Sequence, residues 1–156
     1  MVDETPVPEV DDTDRLLLRA LVSDGRQSNR DLAAATGVSP ATVNRRVRRL
    51  EDEGVLRGVS ALVDAEAVGW GLTAIVGLRI DKGHLRTVQQ RIAGDPRVFA
   101  VYDVTGEWDG MVLARCRDRR DLDDLAKTTL SSPHIQRTNT MVVLKTVLEN
   151  SVVLVP

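Results

Sequence analysis

The segment that begins at Ser28, SNRDLAAATGVSPATVNRRVRRLEDEGVL, constrains the fold most because it carries the boundary signals of two short, consecutive helices. A serine at the first helix boundary and Asp31 three residues later can cap that helix reciprocally. Gly37 ends it, since glycine accepts the left-handed backbone common at helix C-termini. Ser39 and Pro40 open the second helix, where proline at the first helical position costs no hydrogen bond. The pattern predicts a helix–turn–helix.

The second of these helices has one apolar stripe and one basic face. Val43, Val47 and Leu50 follow the i, i+4, i+7 spacing of a single helix face. The stretch from Ser39 to Leu50 contains four arginines and no acid. Short polar side chains near a helix start suit the base edges of a DNA major groove, and Asn and Arg side chains can pair with adenine, guanine or phosphate. The candidate DNA-contacting residues are Ser39, Ala41, Thr42, Asn44, Arg45, Arg48 and Arg49.

The charge of the chain is distributed unevenly. The net charge of the whole chain is −2, whereas nucleic-acid-binding proteins usually carry a positive charge. The charges must therefore be counted separately for each part of the chain. Residues 1–11 carry four acids and no base, residues 12–63 carry nine arginines against seven acids, and residues 64–156 carry twelve of each sign. The positive excess therefore lies in the segment with the predicted helix pair. A solvated arginine cluster on an ordinary surface helix is the alternative, which this placement disfavours.

A third helix and a linker flank the helix pair. Asp11 and Asp14 form a cap pair before a helix over Asp14–Ser23. After the pair, the alternating residues of Val59–Val63 predict a strand, either a wing or a hinge strand, and the glycines around Trp70 indicate a bend. We expect a disordered acidic tail over residues 1–10, a helix–turn–helix domain over 11–63, a hinge over 64–71 and a second domain over 72–156.

The second domain is predicted to contain strand, helix, strand, strand, helix and strand. The predicted strands are Leu72–Ile80, Arg97–Thr105, Met111–Arg117 and Ile135–Leu148, with a further edge strand at Val152–Val155, and the predicted helices are His84–Ala93 and Asp118–Leu130. This order is the ferredoxin-like βαββαβ plan. The expected fold class is α+β, with an N-terminal helix–turn–helix domain and a C-terminal ferredoxin-like domain.

The predicted strands are apolar on both of their faces. Segments such as TAIVGLRI and TMVVLKTVL lack the apolar–polar alternation of a sheet with one solvated face. Two helices can cover only one face of the sheet. We therefore expect the same sheet of a second chain to cover the other face, which makes an obligate homodimer. A monomer with an outer face of slightly lower polarity is the alternative.

The chain resembles the Lrp/AsnC family, the leucine-responsive and asparagine-synthetase-type "feast or famine" transcription regulators. The matching segments are VDDTDRLLLRAL, DGRQSNRDLAAATGVSPATVNRRVRRLEDEGVL, the following RGVSALVD, and TGEWD at Thr105–Asp109. Together they extend from about Val10 to Leu148. The resemblance implies a winged-helix-like DNA-binding domain and a C-terminal RAM domain that binds small effectors, typically amino acids. It also implies homodimers that assemble further into tetramers or octamers.

The resemblance places the effector site at the loop with the TG-x-x-D motif, between dimers. The residues that correspond to it, or lie beside it, are Tyr102, Thr105, Gly106, Asp109, Thr138 and Thr140. Gly106 permits close backbone approach, and Asp109 could accept a hydrogen bond from an α-amino group. The alternatives stay open: an aspartate in a turn can serve the turn alone, and threonines are common in strands. Trp108 makes the loop bulkier than is usual.

An enzyme is the rival interpretation, because haem-biosynthetic sirohaem decarboxylases share the two-domain build. Such an enzyme needs proton donors around a tetrapyrrole, and the histidines available are His84 and His134, which we expect to be separate solvated residues. That function would also leave the basic helix without a purpose. An amino-acid-binding module without DNA contact is a third possibility, which leaves the residues from Ser39 to Arg49 unexplained. We expect no enzyme activity.

Other kinds of site find no support in the sequence. No catalytic motif, phosphate-binding loop or metal-spaced histidine pair is present, so no cofactor, metal or catalytic residue is expected. The single cysteine, Cys116, is expected to be buried and inert. No apolar run approaches the roughly 18 residues of a membrane span. The acidic N-terminus does not resemble a signal sequence, so we expect a cytoplasmic protein without membrane contact.

Overall fold

The computed structural model describes residues 8–149 and Val155. Most of the predicted acidic tail and of the predicted edge strand at Val152–Val155 lies outside the described residues. The chain divides into two compact units, Met1–Leu62 with Glu149–Pro156, and Val63–Leu148. Each unit has its own apolar core.

The first unit contains three helices whose boundaries follow the predicted capping signals. They are α1 (Asp12–Ser23), α2 (Asn29–Thr36) and α3 (Pro40–Asp52). Asp11 and Ser28 each form a reciprocal capping box with the residue three positions later. Gly37 ends α2 with φ at 72°, and the Ser39 side chain accepts a hydrogen bond from the Thr42 amide. The predicted helix–turn–helix is confirmed, and α1 begins two residues before the predicted start.

Buried leucines and valines join the three helices into one core. Leu17 of α1 and Val43 of α3 are fully buried, and Leu32 of α2 packs against them with 2% of its surface exposed. Burying a leucine or valine side chain is worth roughly 1.5–3 kcal/mol. The apolar stripe predicted for α3 is thus turned towards α1 and α2, so the opposite face of α3 lies outward.

The predicted strand over Val59–Val63 is wrong. The described residues between α3 and the first strand form no backbone ladder. Val59, Leu62 and Val63 remain 59–76% exposed. Alternating β-branched residues favour extended backbone, but a strand also needs a hydrogen-bonded neighbour, and no described strand of the chain lies beside this segment. A compact turn follows, in which the Trp70 amide donates to the Ala65 carbonyl at 2.9 Å.

The second unit is a four-stranded antiparallel sheet with two helices. In chain order its elements are β1 (Leu72–Ile80), α4 (Leu85–Ala93), β2 (Val98–Asp103), β3 (Gly110–Cys116), α5 (Arg119–Lys127) and β4 (Ile135–Val142). The strand order in the sheet is β2-β3-β1-β4, and each neighbouring pair is antiparallel. This is the predicted ferredoxin-like arrangement, so the α+β fold class is confirmed.

Strand β4 is shorter than the sequence predicted. It pairs with β1 as far as Val142, and the Val143 amide donates to the Thr73 carbonyl at 2.9 Å. The predicted continuation to Leu148 is wrong because β1 begins at Leu72 and offers no further partner. Leu144, Val147 and Leu148 lie 83–98% exposed.

Helices α4 and α5 cover one face of the sheet and leave the other open. Val88 and Ile92 of α4 and Leu125 of α5 pack against the inner residues of β1 and β3. The opposite face, which we call the open face, is partly apolar. Its apolar side chains include Ile75, Met111 and Leu113, which are half-buried, and Tyr102 and Met141, which are 54% and 42% exposed.

Trp108 lies over Gly77 of β1 on the open face. A Cβ atom added to Gly77 would come within 2.7 Å of the indole, so the glycine makes room for this ring. The Arg137 guanidinium of β4 also lies over the indole ring of Trp108, 5.1 Å from its centroid, which is within cation–π distance. The loop between β2 and β3 is therefore attached to the sheet through Trp108.

We expect Gly77→Ala to lower the free energy of unfolding by about 1–3 kcal/mol, because the added methyl group displaces the Trp108 ring. In a Trp108→Ala background the same change should be neutral or slightly stabilising, since glycine inside a strand is itself unfavourable. Urea unfolding of the four proteins in this cycle measures the coupling. Equal effects of Gly77→Ala in both backgrounds would contradict the proposed contact.

Candidate nucleic-acid interface and effector site

The outward face of α3 carries four of the predicted DNA-contacting residues. Ala41, Asn44, Arg45 and Arg48 have the i, i+3, i+4, i+7 spacing of one helix face, and all four are exposed. The face lies opposite the buried Val43 and Leu50, so it is free to approach a flat or grooved surface. It combines a small residue, an amide and two guanidinium groups.

Ser39 and Thr42 lie at the N-terminal end of this face. The Ser39 hydroxyl accepts a hydrogen bond from the Thr42 amide at 3.2 Å, and the two hydroxyl groups are 2.9 Å apart. Ser39 is exposed and Thr42 is half-buried. Both hydroxyls are thus engaged in capping α3, and each keeps further hydrogen-bonding capacity for a partner.

Arg49 does not share the outward face of α3. Its Nη2 lies 2.5 Å from Asp14 Oδ2 and its Nη1 lies 3.4 Å from Glu53 Oε2. The guanidinium of Arg49 thus lies against the start of α1 and is already paired, and the expected contact between Arg49 and DNA stays a prediction. At about 100° per residue, Arg49 lies at the flank of this face, from where its side chain reaches the start of α1.

Asp14 is the buried centre of an ion-pair cluster between α1 and α3. Its side chain is 1% exposed and also accepts from Arg46 Nη1 at 2.9 Å. The same Arg46 nitrogen lies 2.6 Å from Asp11 Oδ2. A hydrogen bond from the Asp14 amide, together with the hydrogen bond from Arg46, lowers the pKa of Asp11 to about 2. Both carboxylate groups of the capping box accept hydrogen bonds from arginine. The sequence pattern predicted the capping pair of Asp11 and Asp14 but not their ion pairs with α3.

The guanidinium groups of Arg45 and Arg48 are exposed to solvent. Neither guanidinium forms a hydrogen bond or ion pair with any other residue that the structure describes, and both side chains are exposed. The four arginines of α3 therefore divide into an inward pair, Arg46 and Arg49, and an outward pair. Two cationic groups per chain, rather than four, face away from the protein on this helix.

The predicted effector loop is held against the sheet by Asp109. Its Oδ2 accepts from the Ile80 amide at 2.8 Å, and its Oδ1 lies 3.3 Å from Arg79 Nη1. Thr105 and Gly106 are exposed at the tip, where Gly106 has φ at 113°. Both carboxylate oxygens of Asp109 thus stabilise the loop, whereas the tip residues are free to contact a ligand.

The other predicted effector residues lie apart from one another in a single chain. Tyr102 is on edge strand β2, in register with Met111 on the open face. Thr138 and Thr140 are on the opposite edge strand, β4, in register with Leu78 and Val76, whose side chains face the helices. One chain therefore does not bring the six residues into one pocket.

His84 and His134 are not the separate solvated residues that we expected. Their rings stack with centroids 3.6 Å apart, and both side chains are partly buried. His134 Nδ1 also lies 3.7 Å from Asp81 Oδ2. Within the described ranges no three acidic, histidine or cysteine side chains are placed to hold a metal ion. Cys116 is buried as predicted, and this burial raises the pKa of its thiol.

None of the described helices is both long and apolar enough to cross a bilayer.

Both halves of the chain match models of known protein families. Residues 10–57 match the winged helix-turn-helix DNA-binding model, and residues 73–153 match the Lrp/AsnC ligand-binding domain. The two matches cover α1 to α3 and the four-stranded sheet unit, so the resemblance found in the sequence is confirmed.

Individual proteins are similar over nearly the full length. An uncharacterised HTH-type transcriptional regulator of Pyrococcus furiosus is 39% identical, covering 91% of this chain and 96% of its own length. The HTH-type transcriptional regulator LrpA of Mycobacterium tuberculosis is 36% identical, covering 88% and 91%. A feast or famine regulatory protein of M. tuberculosis, solved in complex with L-methionine, is 34% identical with a TM-score of 0.85, covering 95% and 100%.

We expect Asp14→Asn to lower the free energy of unfolding by about 2 kcal/mol, because Arg49 loses its buried anionic partner and Arg46 retains only Asp11. Asp12→Asn, an exposed change in the same helical turn, should stay within about 0.5 kcal/mol of the parent protein. Urea unfolding followed by circular dichroism measures both. Equal stabilities of the two variants would remove the role given to Asp14.

Proposed function

The chain belongs to the Lrp/AsnC family of DNA-binding transcriptional regulators, and we propose that it recognises its operator through the outward face of α3. The residues proposed to contact DNA are Ser39, Ala41, Thr42, Asn44, Arg45 and Arg48. Arg49 and Arg46 take the supporting role of attaching α3 to α1. The observation that carries the proposal is the pair of exposed guanidinium groups on this face, which form no ion pair with the residues that the structure describes.

The chemistry of the face fits a major groove. The N-terminal residues of a recognition helix approach base edges, and Asn44 can pair bidentately with adenine. Arg45 and Arg48 can bind guanine or phosphate oxygens. The small side chain of Ala41 permits close approach and apolar contact with a thymine methyl group. Sequence readout is thus expected from the first two turns of α3, with phosphate attraction from the arginines.

We expect Arg45→Gln and Arg48→Gln each to weaken DNA binding by roughly 5- to 150-fold at low salt, which corresponds to the loss of about 1–3 kcal/mol typical of such contacts. In a dimer each change removes two charges, so the slope of log K against log salt should fall by about 2. Fluorescence anisotropy with duplex DNA from the region upstream of the chain's own gene measures both quantities.

The matched control is Arg86→Gln, which removes an exposed arginine from α4 in the other unit and should leave affinity and slope unchanged. An unfolding curve for each variant separates lost contacts from lost structure. Wild-type affinity and slope in both α3 variants would contradict the proposed interface, as would the absence of binding by the parent protein at low salt.

We propose further that two chains associate through the open face of the sheet. Its apolar centre, formed by Ile75, Met111 and Leu113, has no covering element among the described residues of the chain. Removing such a surface from water is favourable by roughly 25 cal/mol per Å². A dimer would present two copies of α3 to half-sites about one helical turn of DNA apart. Measuring the mass of the assembly in solution distinguishes a dimer from a tetramer or an octamer.

Met111→Asp should convert the assembly into single chains of 17.1 kDa, because two carboxylate groups would be buried without partners in the interface. Light scattering coupled to size-exclusion chromatography measures the mass. Leu16→Asp is the control, since Leu16 is a 44% exposed apolar residue on α1. If the Met111→Asp protein stays folded and keeps the parent mass, the open face is not the interface.

A small amino-acid effector is the third part of the proposal. The loop tip with Thr105 and Gly106 is exposed, and a related feast or famine protein has been solved with L-methionine. Since Tyr102, Thr138 and Thr140 lie on opposite edges of one sheet, a complete site around the loop would need residues of a neighbouring chain. Asp109 would position the loop and could bind an ammonium group through its remaining acceptor capacity.

A further inference from the structure

An open-sided cavity of about 410 Å³ lies at the end of the sheet where β1 begins and β3 ends. Trp70 and Pro96 supply its apolar wall, and the remaining lining is charged. The volume falls in the range of roughly 300–1,000 Å³ that is usual for small-molecule sites. All of the lining residues belong to the second unit.

The floor of the cavity is a rigid ion-pair network around Arg97. Its side chain, 13% exposed, donates to Asp95 at 2.7 Å, to Asp121 at 3.1 Å and to Asp124 at 2.8 Å. Hydrogen bonds from Arg97 hold the pKa of Asp95 well below its usual range. Asp95 also accepts from the Thr129 hydroxyl. The floor charges are therefore fixed in position and already satisfied.

Two side chains at the rim retain unused hydrogen-bonding groups. Asp124 is 59% exposed and gives only its Oδ2 to Arg97, so its Oδ1 has no donor among the described residues. Arg117 is 73% exposed and uses only its Nε, which lies 3.3 Å from Asp121 Oδ2. Its two terminal amino groups can bind a carboxylate in the bidentate manner characteristic of arginine.

The geometry points to a binding site for a free α-amino acid in its zwitterionic form. Asp124 would accept from the ammonium group, Arg117 would donate to the carboxylate, and Trp70 with Pro96 would pack against the side chain. The five charged groups Asp95, Asp121, Asp124, Arg97 and Arg117 sum to −1, so the cavity tolerates a neutral zwitterion better than an anion. The apolar wall favours a ligand with an apolar side chain.

This cavity is separate from the proposed effector loop. The TGEWD loop precedes Gly110 at the start of β3, whereas the cavity lies at Cys116 and Arg117, where β3 ends. Six residue steps at roughly 3.3 Å each put the two places about 20 Å apart. A ligand in the cavity would contact neither Thr105 nor Gly106.

The cavity is also placed to influence the linker between the two units. Trp70 is the last residue of the turn that begins at Asp64, whose Oδ1 accepts from the Ala67 amide at 2.9 Å. A ligand packed against the indole would stabilise this turn, which leads to the DNA-binding unit. The inference rests on the proposed regulation by an amino acid, and it adds a second place where that regulation can act.

The two tryptophans make the test direct, because Trp70 lines the cavity and Trp108 lies in the loop. We would titrate full-length Trp108→Phe and Trp70→Phe proteins with each of the twenty L-amino acids and follow tryptophan fluorescence. In Trp108→Phe, where Trp70 is the sole reporter, a saturable change with at least one amino acid is expected. Adding Asp124→Asn or Arg117→Gln should weaken that binding at least tenfold.

The matched controls are Asp123→Asn and Arg119→Gln, neighbouring exposed residues outside the cavity lining, which should keep the parent affinity. Calorimetry of the parent protein with the same amino acid checks the affinity without a substituted tryptophan. Retained binding in both the Asp124→Asn and Arg117→Gln proteins would overturn the inference, as would no fluorescence response from Trp70.

The outcomes separate this inference from the proposed function. If Trp108 alone responds and binding survives both cavity changes, the loop site stands and the cavity site falls. If no amino acid binds the parent protein, both effector proposals fail. DNA binding, measured by anisotropy on the same proteins, is independent of either result.

Discussion

The buried carboxylate of Asp14 determines what α3 can do. By accepting from Arg46 at 2.9 Å and from Arg49 at 2.5 Å, it attaches the helix to the start of α1 and pairs with two of the four arginines of α3. A buried charge is tolerated only when it is paired and hydrogen-bonded. This contact acts together with the burial of Val43 and Leu50, and the resulting orientation of α3 leaves Arg45 and Arg48 as the outward cations. The proposed DNA-binding surface therefore depends in part on an internal ion pair.

In the second unit, the main feature is a sheet that helices cover on one face only. Helices α4 and α5 bury the inner residues of β1 and β3, and the open face retains an apolar centre. On this face Trp108 fills the space above Gly77 and brings the TGEWD loop down to the sheet. A second chain on the open face would thus meet both apolar side chains and the base of the loop. Association and effector binding would then share one surface.

The two ends of the sheet offer two different chemistries. The loop end has exposed backbone at Gly106 and a carboxylate, Asp109, that is already bound to the Ile80 amide. The other end has the Arg97 network, with spare groups on Asp124 and Arg117 beside the indole of Trp70. Because Trp70 closes the turn of the linker, a ligand there would act close to the connection with the helical unit. A ligand at the loop would act through chain association instead.

Local chemistry in the sequence determined where α1, α2 and α3 begin to within two residues, because caps, Gly37 and Pro40 act within a few residues. The pattern of apolar segments predicted the chain order of strands and helices in the second unit. Tertiary structure alone decided features that depend on distant partners. The Arg49 side chain lies against α1 because it pairs with Asp14, which is 35 residues away in the sequence. Val59–Val63 forms no strand because no described strand lies beside it. Strand β4 ends where its partner β1 begins. The cavity likewise combines Trp70, Arg97 and Arg117 from three strand ends. A single sequence shows what each residue can pair with, and only the fold shows which partner reaches it.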